Sequence, residues 1–171
     1  MGLFKRKNKM TIEEYASYNL YIISNGEEKF FENNKDFLKF DIYSEIAYYT
    51  FFAYISEMIL LKKYSKPTVT KIVEKIIGKM IEIQYEDCTP KTEKTKILLQ
   101  NLYSSCYNEL KIKNFDFSEK ENLNDMAKLF LEILGISTDI IYIMLVCIEF
   151  SSFIMFHTTD ILNNDIKLIE K

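Results

Sequence analysis

The stretch IIYIMLVCIEFSSFIMF, residues 140–156, carries a single ionisable side chain, Glu149, among seventeen residues. A helix that crosses a bilayer needs about 20 mainly apolar residues, and this run is bounded by Asp139 and His157. An acid held near the middle of a bilayer costs roughly 2.5 to 3.5 kcal/mol. A second apolar run, residues 46–61, contains Tyr48, Tyr49, Tyr54, Ser56 and Glu57, whose polar atoms are better satisfied by protein than by lipid. A helix apolar on all sides is buried on all sides. Both runs are therefore expected at the centre of an all-α bundle, as helices over about 42–63 and 138–157, with amphipathic helices packed around them.

Those outer helices can be placed from their caps and stripes. Thr11 and Glu14 form a capping box that starts a first helix, with Asn25-Gly26 as its stop and a short helix and turn following before residue 41. Asp41 caps the first apolar helix, and Pro67 suits the opening turn of the next. In that helix Ile72, Ile76 and Met80 recur beside Val73, Ile77 and Ile81, the spacing of one buried face. Thr89-Pro90 opens a fourth helix whose stripe is Leu99, Leu102, Tyr103, Cys106, Tyr107 and Leu110. Ser118 with Glu121 is a second capping box, and Leu123, Met126, Ala127, Phe130 and Leu134 run along one side up to Gly135. Alternating strand patterns are almost absent. The expectation is one all-α, single-domain helical bundle of about six helices over 11–171, preceded by a flexible basic arm at 1–10.

Composition bounds the function. Of 171 residues, 48% are hydrophobic and 27% charged, which is ordinary for a globular chain and for neither a disordered nor a polytopic membrane protein. Lys5, Arg6, Lys7 and Lys9 cluster at the start, and removing their +4 from the net charge of −3 leaves −7 on the rest. An acidic body whose only arginine is Arg6 disfavours nucleic-acid binding. The basic start allows at most weak peripheral contact with an anionic membrane. Glu13 and Glu14 occupy the place of a secretory apolar region, and Cys88, Cys106 and Cys147 are odd in number and widely spaced. A reducing, cytoplasmic setting is expected, and the lysine, isoleucine and asparagine richness suggests an AT-rich, bacterial genome.

Few residues invite chemistry. Thr138, Tyr142, Glu149 and Ser152 share a sector of the last helix, so Glu149, Tyr142 and Ser152 form a candidate ligand or structural polar site. Tyr48, Tyr49 and Tyr54 are a candidate partner surface or pocket. Glu45 and Glu57 lie about 120° apart around one helix and cannot converge on a metal from it alone. His157 is the only histidine, which leaves no paired Glu-x-x-His elements and suits a packing residue better than a ligand. No Walker loop, H-E-x-x-H, C-x-x-C or G-x-S-x-G occurs. No catalytic residue, cofactor or metal is expected. The reading is a non-catalytic protein-protein interaction module, with an unknown protein or a second copy of the chain as partner. The alternative is a bundle holding an apolar small molecule or lipid between its two central helices, with Glu149 and nearby tyrosines as polar contacts. A solid core with an exposed patch separates the first from the second.

Overall fold

The computed structural model describes residues 9–115, 120–163 and 166–169. Six helices follow one another: α1 Ile12–Asn33, α2 Ile42–Leu60, α3 Lys66–Asp87, α4 Glu93–Lys113, α5 Lys120–Ile133 and α6 Ile140–Asn163. Two three-residue strands, β1 Lys9–Thr11 and β2 Lys167–Ile169, pair in parallel with Met10 opposite Leu168. The protein is an all-α helical bundle. Lys9 and Met10 are a correction to the expected flexible arm, because they belong to β1 and Met10 is buried. The other arm residues, and the Ser118–Glu121 capping box, lie outside the described residues.

Local signals set most helix ends. Thr11 Oγ1 accepts from the Glu14 amide at 3.1 Å while Glu14 accepts from the Thr11 amide at 2.9 Å, closing the capping box of α1. Asp41 Oδ1 accepts from the amides of Tyr43 and Ser44 at the start of α2. Gly135 has φ 65°, and the Ile136 amide reaches back to the Leu131 carbonyl at 2.9 Å, ending α5 as a glycine C-cap does. In α4 the cap is Thr92, three residues beyond the expected Thr89-Pro90 start, because Thr92 Oγ1 accepts from the Thr95 amide.

Asn25-Gly26 does not stop α1, which runs on to Asn33. A Cβ at Gly26 would stand 2.9 Å from the Tyr48 hydroxyl, which itself donates to the Ile23 carbonyl at 2.9 Å. The glycine is there to let a buried tyrosine approach the helix backbone. The short helix expected after it is the last part of α1, followed by a turn in which the Asn34 side chain donates to the Phe30 carbonyl.

The two apolar helices have different fates. Helix α2 is central as expected: it touches α1, α3, α4, α5 and α6 and is buried around its circumference. Helix α6 is not central, and this corrects the sequence reading. It packs on α5 and α2 through Ile143, Val146, Phe150 and His157, while Ile140, Ile141, Met144, Leu145, Ile148, Met155 and Phe156 face outward. Among the described residues the main helix contacts of α6 are with α5 and α2, and that outward row stays exposed. The α2–α5–α6 contact is filled with rings: Phe52 meets Phe153 at 4.4 Å between centroids, Phe51 meets Phe130 at 5.1 Å, and Phe150 touches all of Phe51, Phe52 and Phe130. Each fully buried ring contributes on the order of 2–3 kcal/mol relative to exposure.

Candidate functional site

The polar sector expected on α6 is divided by the fold. Glu149 is half-buried at the edge of the bundle, and its Oε1 accepts from Asn33 Nδ2 at the end of α1 at 2.9 Å. Tyr142 stacks on Phe37, with centroids 4.5 Å apart and planes at 23°. Ser152 is on the outward row, and its hydroxyl donates to the Ile148 carbonyl of its own helix at 2.9 Å. Glu149 and Tyr142 thus face the end of α1 and the turn after it, whereas Ser152 points away, so the three make no common site.

Tyr48, Tyr49 and Tyr54 are all buried, so of the expected partner surface or pocket the surface is excluded. Their rings complete the contacts of α2, and burial pushes their hydroxyls above the ordinary tyrosine range. Tyr49 donates to Glu27 at 2.7 Å. Nearby, Gln84 Nε2 donates to Glu45 at 3.2 Å. Burial raises the carboxyls of both Glu27 and Glu45 above their usual range. Glu27 Oε1, Gln84 Oε1 and the Tyr103 hydroxyl have no hydrogen-bond partner among the described residues, which marks this cluster between α1, α2, α3 and α4 as a place for ordered water. Glu57, 3% exposed, accepts from the Tyr107 hydroxyl and from Lys111. Glu45 and Glu57 serve separate networks, as their separation around α2 requires.

His157 is a packing residue. It is fully buried, lies against Phe153 at 4.8 Å, and its Nε2 is 3.0 Å from Ser56 Oγ. The Ser56 hydroxyl donates to the Phe52 carbonyl, so the network assigns the proton to His157 Nε2, which donates to Ser56. A serine whose proton is committed to a backbone carbonyl is not poised as a nucleophile. Burial lowers the His157 pKa to about 4, against a smaller opposing pull from Asp160. Burial pushes the Cys106 thiol up to about 12 and raises that of Cys147, which keeps both thiols protonated and unreactive. Among the described residues, no three His, Cys, Asp or Glu side chains are grouped to hold a metal ion.

The outward face of α6 stands apart from these satisfied interiors. Its seven large apolar residues are between 38% and 71% exposed. Over residues 140–160 only 22% of the most apolar window is buried, and by length and composition alone the helix could span a bilayer. Its packing argues otherwise, since α5 lies along it carrying exposed Asp125, Lys128 and Glu132. Insertion would either strip α6 from α5 and α2 or take those charges into lipid. The outward row is Ile141, Leu145, Ile148, Ser152, Met155 and Thr159, spaced alternately by four and three residues, the period of a helix-on-helix seam. Ser152 and Thr159 both turn their hydroxyls back onto their own helix, so they present small, satisfied surfaces. An open depression of about 400 Å³ lies at the middle, lined by Met144, Cys147, Ile148, Ser151, Ser152 and Met155. Both faces of α6 are apolar, and the seam spacing and the adjacent serines mark the outward row only once the packed side of the helix is known.

Compared with protein-family models, curated proteins and solved structures, the chain matches none. The class its fold defines is the all-α helical bundle, and its principal unsatisfied feature among the described residues is the exposed apolar face of α6.

Proposed function

We propose that the protein is a non-catalytic protein-protein interaction module that docks a partner through the outward face of α6. The observation that carries this reading is a charge-free apolar row about 27 Å long, uncovered among the described residues, on a helix whose only central acid, Glu149, is turned aside to Asn33. With the flanking Ile140, Met144 and Phe156 the face exposes roughly 800 Å², above the about 300–600 Å² of the largest apolar patch on a typical monomer. The carrier alternative needs room between α2 and α6, where phenylalanine rings stand instead. The free thiols of Cys88, Cys106 and Cys147 support placing the module in a reducing, cytoplasmic setting.

The test is a photo-crosslinking residue placed at Ile148 and, as control, at Lys75 on the charged outer side of α3, both in the producing cell. Protein adducts concentrated at Ile148 are expected. Equal adducts at both positions, or lipid adducts alone at Ile148, would overturn the reading.

A further inference from the structure

We infer that the occupant of the α6 face is a second copy of this chain, packed antiparallel about a two-fold axis between Ile148 and Ser152. This rests on the docking role proposed above and names its partner. An antiparallel pair with that axis sets Ile141 against Thr159, Leu145 against Met155 and Ile148 against Ser152, so the seam row maps onto itself. Every pair joins a larger or branched residue to a smaller or flexible one, and the depression over Ser151 and Ser152 receives Ile148 of the partner copy. The two-fold requirement of an isologous contact is thereby met by the order of the residues.

The area fits as well. At about 200 Å² for a fully exposed large side chain, the seam row together with the flanking Ile140, Met144 and Phe156 leaves roughly 800 Å² on each copy, the half-share of a standard stable interface. Charge agrees with a protein rather than an anionic lipid surface. No lysine or arginine occurs between Lys128 and Lys167, and Asp139 and Asp160 bound the run. Within the row itself there is no charge to repel an identical face. The hydroxyls of Ser152 and Thr159, already bonded to their own helix, can be covered without losing a partner.

The experiment is sedimentation velocity on the full chain from 1 to 100 µM, with flotation on phosphatidylcholine vesicles alongside. The expected species has twice the 20.3 kDa of the single chain. Ile148→Asp should weaken the dimer at least 100-fold while leaving the helical spectrum unchanged, because the residue is more than half exposed in the single chain. Mixed Ile148→Cys and Ser152→Cys chains should form an intermolecular disulfide under mild oxidation more readily than either variant alone. A dimer that survives Ile148→Asp, or that lacks the 148-to-152 cross-link, overturns this assignment. A monomer at 100 µM also overturns it, and if that monomer still gives protein adducts at Ile148 in the cell, the docking role stands with a different partner. A monomer that floats with vesicles overturns both.

Discussion

His157 offers a quantitative test of the α2–α6 contact. Its ring is fully buried, donates to Ser56, and has no partner at Nδ1 among the described residues. Burial lowers its pKa from 6.5 to about 4. The unfolded chain therefore takes up a proton below pH 6.5 that the folded protein refuses until about pH 4. Where the unfolded state binds more protons, stability falls as pH falls. The contribution of neutral His157 is intact above pH 6.5, declines through the window from 6.5 to 4, and levels off below. With 1.36 kcal/mol per pKa unit, the loss between pH 7.5 and 4.5 is about 2.5 kcal/mol, a sizeable part of a total stability of about 5–15 kcal/mol. Glu27 and Glu45 act in the opposite sense, because their raised carboxyls favour the folded state as pH falls through their folded pKa values toward the ordinary carboxylate range. A comparison with His157→Leu cancels them. At pH 7.5 the variant should be the less stable by about 1–2 kcal/mol, for a lost hydrogen bond and imperfect filling. At pH 4.5 the order should be level or reversed. Urea melts of both proteins across this range give the difference directly. Because the chain has one histidine, its single imidazole NMR signal reports the midpoint independently. A difference constant to within about 0.5 kcal/mol, or an imidazole midpoint near 6.5, would show that the ring is solvated and the α2–α6 packing is not as described.

Three further outcomes follow from the packing. Gly26→Ala should destabilise by about 1–2 kcal/mol despite the better helix propensity of alanine, because the new Cβ meets the Tyr48 hydroxyl, whereas Gly78→Ala, with open space around it, should stabilise by roughly 0.5–1 kcal/mol. Denaturant melts that rank the two glycines the other way would contradict the Tyr48 placement. Glu149→Gln and Glu149→Leu should each change stability by no more than about 1 kcal/mol, since the bond to Asn33 lies at the bundle edge; a loss of several kcal/mol from both would mean the carboxylate is buried with a dedicated partner. Lys111→Met should cost about 2–3 kcal/mol by stranding the buried Glu57 carboxylate, with Glu57→Leu in the same chain recovering most of it. A single-variant cost under about 0.5 kcal/mol would remove Glu57 from the interior.

The sequence by itself determined the class of fold, the order of the helices and most of their ends. The caps at Thr11, Asp41 and Gly135 are local devices, in which a side chain or a φ near 65° satisfies backbone groups a few residues away. The buried stripes of α3 and α4 were equally legible, because a helix with one apolar face states which side goes inward. The placement of Glu149 was narrowed to two outcomes, bundle surface or satisfied burial, and its neighbour Asn33 is 116 residues away in the chain. Only the tertiary structure decided what periodicity cannot express. Gly26 reads as a stop because the approach of Tyr48 comes from another helix, and β1 is too short to show alternation before β2 arrives from the far end of the chain. The two apolar helices were indistinguishable from each other, since each sets only a few polar residues into an otherwise apolar circumference. Among the described residues, helix α2 is enclosed because the other five helices surround it, while α6 packs on α5 and α2 and leaves its other side exposed. How many elements pack around a helix is a property of the assembled bundle, and so the exposed face of α6 could not be read from its own residues.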